Sequence, residues 1–316
     1  YQENIVGSGT ASSVGGLVGY SNADDFTIVE SDVQSPVTGK DKVGGFVGEL
    51  QGSLKISGSF NSSSSQLKGE SRVGGFVGYS AVGSLTIRDS EQKCAVVATG
   101  GYVGGVVGEC AQISVDTLYL NGSVSGGDKY AGGIVGLGRN VSLDNIEFGN
   151  GVTVNGPADV GGIAGRLENS KMEANPFSAD FVIIVCGNES YSSSAVSVGG
   201  ICGSASDCEL RNITVKCSVY GKNYIGGLVG YNEKGGVFDN CTYDGKEVAA
   251  AGDAAGGIIG YSVSGNALLK NLVNYGKVIA AWYTGGIVGK LVNDGASFCT
   301  NLGTVSGGED TGGIVG

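Results

Sequence analysis

The hexapeptide V-G-G-F-V-G, at residues 43–48 and again at 73–78, decides the fold because close variants of it recur along the whole chain. Eleven copies occur, and their first glycines are 29, 30, 30, 28, 29, 38, 27, 30, 29 and 27 residues apart. A nearly fixed period of this length is typical of a solenoid, in which each repeat stacks on its neighbours. We therefore treat residues 1–316 as one continuous repeat array.

Two further apolar patches of strand character follow each hexapeptide, for example residues 53–56 and 84–87 for the first patch and 152–154 and 218–220 for the second. Each is short and bounded by Gly, Asn, Asp or Ser, and no helical period interrupts them. The pattern predicts an all-β fold. We expect a single parallel β-helix, or β-solenoid, of about eleven coils, with ~29 residues and three short strands per coil. A β-propeller is disfavoured because its blades need ~40 residues or more.

The fourth hexapeptide position is always aliphatic or Phe, and its side chains form a ladder when coils stack. The ladder comprises Leu17, Phe46, Phe76, Val106, Ile134, Ile163, Ile201, Leu228, Ile258, Ile287 and Ile314. In a regular strand, positions 4 and 5 point to opposite faces. Two interpretations stay open. Either the glycine pair shifts the phase so that both positions enter the core, or the ladder faces outward as a binding or assembly strip.

Composition excludes several classes of protein. There are 61 Gly but only 3 Pro and no three-residue glycine period, so the chain is not collagen. The formal net charge is -11, which disfavours nucleic acid and anionic membranes as partners. The longest apolar stretch, residues 94–108, is shorter than the ~20 residues that a membrane span needs, so we expect no membrane insertion in this segment. Histidine is absent, so no Ser-His-Asp triad or His-containing zinc site can form within the chain. We expect no catalytic residues, no metal and no cofactor.

The repeat units resemble the GLUG motif, a glycine-rich repeat of large bacterial and protist surface proteins. The resemblance is carried by the G-G-[LIVF]-V-G core, by the Tyr-Ser or Tyr-Asn pairs at residues 79–80, 231–232 and 261–262, and by N-C-T-Y at 240–243. It extends over nearly the whole chain, although the sixth unit departs from it by the 38-residue spacing. Some immunoglobulin A-cleaving metallopeptidases carry the motif outside their catalytic domain. The resemblance implies surface display without a defined ligand.

Eight cysteines occur without any C-x-x-C pair, which disfavours zinc-ribbon and thioredoxin-type sites. Disulfides are one use for them, and we predict Cys94 with Cys110 and Cys208 with Cys217, with Cys186 as a substitute for either partner of the second pair. Cys202 takes the place of a position-5 aliphatic residue, where a buried inert thiol is the plainer interpretation. Cys241 and Cys299 fall at nearly the same coil phase but two coils apart, too far for a direct bridge.

Six N-x-[ST] sequons are candidates for glycosylation in a secreting eukaryote. They are Asn61, Asn121, Asn140, Asn188, Asn212 and Asn240. The alternative is that Asn and Ser simply occupy the corners of the coils.

The longest spacing marks an insertion near residues 168–190, which contains Met172 and Pro176. A solenoid accommodates extra residues as a protruding loop, either merely tolerated or used as a partner contact. Neither end of the chain carries a polar cap, so we expect either a window of a longer array or head-to-tail stacking into a filament.

These features predict an extracellular or cell-surface rod with a structural or adhesive role, a filament or appendage component that associates with itself end to end or laterally. Glycans or proteins of a host or neighbouring cell are further candidate partners. One alternative is a stalk module of a larger secreted or surface protein, such as a protease or adhesin. A carbohydrate-active β-helix enzyme is the weaker alternative, because Asp24-Asp25 is the only paired aspartate.

Overall fold

The structure, a computed structural model, describes residues 5–7, 12–62, 66–149, 151–173, 184–186 and 196–316, with the backbone alone at 184–186. These residues form an all-β solenoid without helices, in which parallel sheets stack at intervals of ~29 residues. The eleven hexapeptides delimit ten complete turns, and we number each coil by its hexapeptide. The predicted fold class is confirmed.

Each of the first ten hexapeptides folds into two short strands that lie in different sheets, whereas the eleventh contributes a strand to the first of these sheets only. Sheet 1 contains the first half of the motif, in the strands Val14–Gly15, Asp41–Gly44, Ser71–Gly74, Val103–Gly104, Ala131–Gly132, Val160–Gly161, Ser197–Gly199, Tyr224–Gly226, Ala254–Gly256, Tyr283–Gly285 and Asp310–Gly312. Sheet 2 contains the second half, in the strands Val18–Ser21, Val47–Leu50, Val77–Ser80, Val107–Cys110, Val135–Arg139, Ala164–Glu168, Cys202–Ser206, Val229–Lys234, Ile259–Ser262 and Val288–Leu291.

The next side of the coil changes along the rod. In the first five coils it is sheet 3, with the strands Phe26–Val29, Asp32–Val33, Leu54–Ser57, Phe60–Asn61, Leu85–Gln92, Ile113–Leu120 and Val141–Phe148. Later coils divide it in two. Sheet 4 contains Lys171–Glu173, Glu209–Arg211, Val237–Asp239, Leu268–Lys270 and Gly295–Ser297. Sheet 5 contains Thr214–Val215, Thr242–Tyr243, Val273–Asn274 and Thr300–Asn301.

Sheet 6 closes the coil and runs the full length of the described rod. Its strands are Ile5–Val6, Val37–Thr38, Gln66–Gly69, Ala95–Ala98, Val124–Ser125, Thr153–Asn155, Ile184–Cys186, Ser218–Gly221, Glu247–Ala250, Lys277–Ile279 and Val305–Ser306. The three strand-like patches of each repeat are therefore present. The hexapeptide supplies two strands rather than one, and the patch after it often supplies two, so most coils have five short strands.

The glycines allow sheets 1 and 2 to approach each other closely. A Cβ on Gly104 would overlap the carbonyl oxygen of Val107 in the same hexapeptide, and a Cβ on Gly105 would overlap that of Gly133 in the next coil. A Cβ on Gly48 would meet the backbone of Val14 in the preceding coil. Backbone thus packs against backbone where sheets usually stand ~10 Å apart, and only glycine fits.

The position-4 ladder faces the core. All of its members from Phe46 to Ile287 are fully buried, and so are the position-5 residues from Val47 to Val288. The carbonyl of Phe76 accepts hydrogen bonds from the N–H groups of both Phe46 and Val47, at 2.9 and 3.0 Å, so the chain bends between positions 3 and 5. This bend sends both side chains inward, and the outward interpretation is wrong. At the ends, Leu17 is half exposed and Ile314 is partly buried.

The insertion lies partly outside the described residues. Its beginning forms the strand Lys171–Glu173, which pairs with Glu209–Arg211 and buries Met172 against the core. The chain rejoins sheet 6 at Ile184–Cys186, which pairs with Thr153–Asn155 and Ser218–Gly221. Pro176 is outside the described residues, so the predicted loop stays a prediction.

Candidate functional site

Close packing of sheets 1 and 2 places the residue before each of the first ten hexapeptides beside the residue after it, along one side of the rod, where most of these side chains are partly exposed and Glu49, Leu137, Ser197, Ser204 and Ala254 are buried. We call these two columns the flank stripe. The preceding residues are Ser13, Lys42, Arg72, Tyr102, Tyr130, Asp159, Ser197, Tyr224, Ala254 and Tyr283. The following residues are Tyr20, Glu49, Tyr79, Glu109, Leu137, Arg166, Ser204, Tyr231, Tyr261 and Lys290. The second column is in strict parallel register from coil to coil.

The N-terminal half of the stripe is ionic. Lys42 and Glu49 form a 2.8 Å ion pair, and the Ser13 hydroxyl donates a hydrogen bond to the same carboxylate. Arg72 pairs with Glu109 at 2.8 Å and with Asp41 at 3.0 Å. Its guanidinium also lies 5.1 Å from the ring centre of Tyr79 and 5.5 Å from that of Tyr102, within cation–π range.

Charge alternation continues along the next coils. Arg139 bridges Glu109 at 3.4 Å and Glu168 at 2.9 Å. Arg166 pairs with Glu168 at 2.8 Å and also contacts Glu233. Together with Asp41 and Arg72, these residues form one continuous network from coil 2 to coil 8. Such a network orders long side chains that would move freely in isolated surface pairs.

The network shifts the pKa values of its members. Burial acts to raise the pKa of Glu49, but hydrogen bonds from Lys42 and Ser13 outweigh it, so the pKa lies below its ordinary value. The pKa of Glu168 is lowered in the same way, because burial acts to raise it but the charges and hydrogen bonds of Arg166 and Arg139 have the larger effect. Asp159 is the exception. Its burial outweighs the nearby Arg166 charge and raises its pKa.

The C-terminal half of the stripe is aromatic. The ring centres of Tyr224, Tyr231 and Tyr261 are 5.1 to 5.7 Å apart, and the amine of Lys290 lies 5.3 Å from the Tyr261 ring centre. The same amine is 4.2 Å from the ring centre of Tyr283. Burial raises the pKa of Tyr224 and of Tyr231, so both phenols stay protonated at neutral pH.

Backbone conformation also differs along the stripe. The preceding residue has a positive φ in five successive coils, with Lys42 at 51°, Arg72 at 51°, Tyr102 at 65°, Tyr130 at 45° and Asp159 at 46°. This left-handed region is uncommon for non-glycine residues and costly for bulky ones. The equivalent residues of coils 7 to 10 do not have a positive φ, and all of them belong to strands of sheet 1.

Within the described residues, no group of three or more Asp, Glu or Cys side chains is arranged to hold a metal ion. A surface depression of about 450 Å³ is lined by Asn140, Asn169, Lys171 and Glu173, among others. The paired aspartates are elsewhere. Asp25 forms a 3.2 Å ion pair with Lys55, and both side chains are exposed. Among all residues that the structure describes, no helix is long and apolar enough to span a bilayer.

The seven cysteines whose side chains are described are all thiols, so neither the Cys94–Cys110 nor the Cys208–Cys217 disulfide is present in the described structure. Six of the seven are buried. Burial raises the pKa of Cys110 and Cys217 to about 12 and that of Cys241 to about 11. These thiols are poor nucleophiles. The Cys186 side chain lies outside the described residues.

Individual thiols have local roles. Cys202 is fully buried, as expected for a residue in the position-5 column. Cys208 donates hydrogen bonds to the carbonyls of Leu167 and Ser206, both at 3.4 Å. Cys241 and Cys299 stand at one coil phase with Leu272 between them, as the paired strands of sheet 4 and the equal spacing after them place these residues.

The sequons divide by exposure. The side chain of Asn61 is buried and donates a hydrogen bond to the Gly75 carbonyl, so the prediction of glycosylation there is corrected: a glycan would have to enter the core. Four sequon asparagines are exposed, namely Asn121, Asn140, Asn212 and Asn240. Asn212 and Asn240 are stacked, with the Asn240 amide donating to the Asn212 oxygen at 2.8 Å. Asn188 lies outside the described residues.

Sequence reasoning did not foresee the flank stripe. From the sequence, Tyr79, Tyr231 and Tyr261 were assigned only to the GLUG-like repeat motif, because the residue before the hexapeptide varies in type. A usable signal was available. Seven of the fourteen tyrosines immediately precede or follow a hexapeptide from coil 3 onward.

Comparison with known proteins gives one match. The family model of the GLUG motif matches residues 221–248, which include the eighth hexapeptide, the Tyr231 flank and the strand pair Val237–Asp239 and Thr242–Tyr243. No curated protein and no solved structure matches the chain. The chain is thus a repeat protein that carries the GLUG motif at residues 221–248, which confirms the resemblance inferred from its sequence.

Proposed function

We propose that the chain is an extracellular structural and adhesive rod, a component of a filament or cell-surface appendage that associates with itself. The observation that carries this proposal is the flank stripe, a continuous line of paired charges and aromatic rings along a rod with one unbroken core. A linear surface of this kind suits an extended partner, or a second rod, better than a small substrate.

Stacking geometry supports the structural role. Each coil bonds to the next through parallel strands, so every coil presents the same row of N–H and C=O groups to its neighbour. Such a rod lengthens by repetition without any change in design. Self-association end to end, or side by side along the stripe, is the partner that we propose first.

Charge pairing favours adhesion over catalysis. Glu49 in the stripe and Glu168 beside it have lowered pKa values, so they stay ionised at neutral pH and cannot act as general acids there. We therefore propose that the chain is not an enzyme and uses no cofactor. Glycans or proteins of a host or neighbouring cell are further proposed partners, whereas the net charge of -11 disfavours nucleic acid.

The GLUG match favours one alternative, in which the rod is a stalk module of a larger secreted or surface protein. Both versions place the chain outside the cell, and the exposed sequon asparagines are compatible with that location. They differ in what surrounds the rod. A filament consists of many copies, whereas a stalk is covalently joined to a functional domain.

Cryo-electron microscopy of the natively purified material tests the proposal. We expect filaments whose layer lines show the ~4.8 Å spacing of stacked strands, with this chain as a continuous segment. Antibody labelling of intact cells should decorate their surface. Discrete monomers with capped ends, or labelling only after permeabilisation, would overturn the filament or the location, respectively.

A further inference from the structure

Coils 8 to 10 carry a compact group of outward-facing aromatic residues that we call the aromatic platform. It comprises Tyr224, Tyr231, Tyr261, Trp282 and Tyr283. The first three rings are in mutual contact, and Lys290 links Tyr261 to Tyr283. Trp282 immediately precedes Tyr283 and is 50 % exposed. The platform is therefore continuous over three coils.

The exposure of Trp282 is the unusual feature. It is the only tryptophan in the chain, and tryptophan is highly buried on average in folded proteins. Aromatic side chains with one apolar face and a polar group are enriched at binding surfaces. A solenoid with an aliphatic core has no structural need for a half-exposed indole on its surface, which points to a ligand.

The surroundings of the platform are polar and mixed in charge. Asp253 interacts with the Tyr224 phenol, Glu233 lies beside Tyr231, and Lys290 supplies the positive charge. In the preceding column Ala254 is the sole residue between Tyr224 and Tyr283, and its methyl group is buried. Tyr224 and Tyr283 are therefore two coils apart in this column, about 10 Å at the spacing of stacked strands.

We propose that the aromatic platform binds an uncharged, extended polysaccharide, an inference that rests on the proposed adhesive function and names its ligand class. Pyranose rings present apolar C–H faces that stack on aromatic rings, and their hydroxyls require the donors and acceptors that Asp253, Lys290 and the phenols provide. The two-coil separation of Tyr224 and Tyr283 is comparable to the length of a disaccharide. The platform extends along three coils and is not an enclosed pocket, which suits a polymer better than a small molecule.

Charge decides between classes of glycan. The chain has a formal net charge of -11, and the carboxylates of Asp253 and Glu233 flank the platform. A polyanionic glycan would be repelled. The inference therefore commits to neutral sugars, with polyanionic glycans as an outcome that would contradict it.

The single tryptophan makes the test specific, because Trp282 is the only indole in the chain and directly precedes Tyr283 of the platform. The full chain is titrated with hexasaccharides of glucose, mannose and N-acetylglucosamine, with heparin as the anionic comparison. We expect at least one neutral hexasaccharide to shift the emission to shorter wavelength and to protect it from acrylamide quenching. Heparin should do neither.

Variants locate the binding. Tyr261→Ala should weaken the binding by roughly tenfold or more, since central aromatic residues dominate such surfaces. Tyr275→Ala is the control, because it also removes a tyrosine ring from the surface, but Tyr275 follows the sheet 5 strand Val273–Asn274 on another side of the rod. It should leave the affinity unchanged. Thermal unfolding of both variants establishes that they fold.

Three outcomes would overturn the inference: no response to any of the neutral hexasaccharides, a response to heparin alone, or equal affinity in Tyr261→Ala. The filament experiment remains independent. Filaments without saccharide binding would remove the ligand assignment and leave the rod, whereas saccharide binding by isolated monomers would remove the filament and leave the platform.

Discussion

Coils 2 to 6 and coils 7 to 10 share the hexapeptide, the buried position-4 ladder and the glycine packing, yet their outer surfaces differ in chemistry. The first group carries an ionic network centred on Arg72, Arg139 and Arg166. The second carries stacked aromatic rings around Tyr261. The interior of a coil is thus fixed by the contacts between neighbouring coils, whereas the two flank positions can vary without disturbing it.

Their backbones differ as well. In coils 2 to 6 the preceding residue is left-handed, while in coils 7 to 10 the equivalent residue has no positive φ and belongs to a strand of sheet 1. Sheet 3 likewise gives way to sheets 4 and 5, and its left-handed corner residues Asp89, Thr117 and Asn145 are succeeded by Asn212, Asn240, Asn271 and, in coil 10, Phe298. Asparagine tolerates this conformation better than most residues, but phenylalanine does not. The C-terminal coils are therefore less strained at the residue before the hexapeptide, whereas the left-handed corner persists in both groups.

The largest expected effect tests what the two groups share. Gly104→Ala in coil 4 and Gly226→Ala in coil 8 each place a Cβ against the carbonyl oxygen of the position-5 residue. Because backbone atoms cannot move aside without separating sheets 1 and 2, each change should lower the free energy of unfolding by about 3 kcal/mol. Urea denaturation followed by circular dichroism measures the loss.

Gly295→Ala provides the control for these substitutions. Gly295 is also in a strand, but nothing lies within 4 Å of the position of its Cβ. Its unfolding free energy should change by about 0.5 kcal/mol or less. If Gly104→Ala were as harmless, the glycines would not be responsible for the close approach of the sheets.

The fold could be predicted from the sequence because the repeat specifies it. A glycine pair every ~29 residues with an apolar residue at position 4 specifies the coil, and eleven copies leave little ambiguity. The direction of the position-4 side chains stayed open, since strict alternation places Phe46 and Val47 on opposite faces. The shared acceptor at the Phe76 carbonyl, which bends the chain, has no signature in the residue types.

The candidate site was less accessible for a different reason. Arg72 and Glu109 are 37 residues apart, and they meet only because the glycines bring the two flanks together.

The predicted pairing of the cysteines was wrong for a similar reason. Spacing suggested Cys208 with Cys217, but Cys208 hydrogen-bonds to the Leu167 carbonyl in the preceding coil. Contacts between coils depend on the exact phase of each residue, which a variable period obscures.

The second prediction tests the backbone difference at two tyrosines. At position 130, where φ is 45°, the Tyr130→Gly variant should be more stable than Tyr130→Ala by about 1 kcal/mol, because glycine accepts the left-handed conformation. At position 224, within the strand Tyr224–Gly226, the order should reverse by about 0.5–1 kcal/mol. The tyrosine ring is absent from both variants at each position, so the difference between their denaturation midpoints reports the conformational preference of the backbone alone. The same order at both sites would contradict the structural difference.

The third prediction separates ionic from aromatic coupling. A double-mutant cycle with Arg72→Met and Glu109→Gln should give a coupling energy of about 1 kcal/mol, since both side chains are at least two-thirds buried. The coupling should shrink as salt rises from about 0.1 to about 1 M. A cycle with Tyr224→Leu and Tyr261→Leu should give about 0.5–1.5 kcal/mol and persist in salt.

The exposed pair Lys55 and Asp25 is the control for that salt titration. Its side chains are 64 % and 78 % exposed, so its coupling energy should be close to zero at every salt concentration. Equal salt dependence of the arginine and tyrosine cycles would mean that the two halves of the stripe do not differ in the way their contacts indicate.

The smallest expected effect is at Asp159, at the boundary between the two groups of coils. Burial raises the pKa of its carboxyl above the ordinary value of 3.8 despite the nearby Arg166. A raised folded-state pKa means that stability is fully present below the unfolded-state pKa and is lost as the pH rises through the folded-state value. Asp159→Asn, which mimics the protonated form and suits a φ of 46°, should therefore increase stability at pH 7.

That gain should diminish as the pH falls towards 3.8, because the wild-type carboxyl then becomes protonated as well. Glu168→Gln should behave in the opposite way. The pKa of Glu168 is lowered by Arg166 and Arg139, so its contribution is present at neutral pH and is lost as the pH falls through its folded-state pKa. Unfolding free energies of both variants at pH 7 and pH 4 would distinguish the two signs. A loss of stability in Asp159→Asn at pH 7 would instead place this carboxylate within the ionic network of the N-terminal coils.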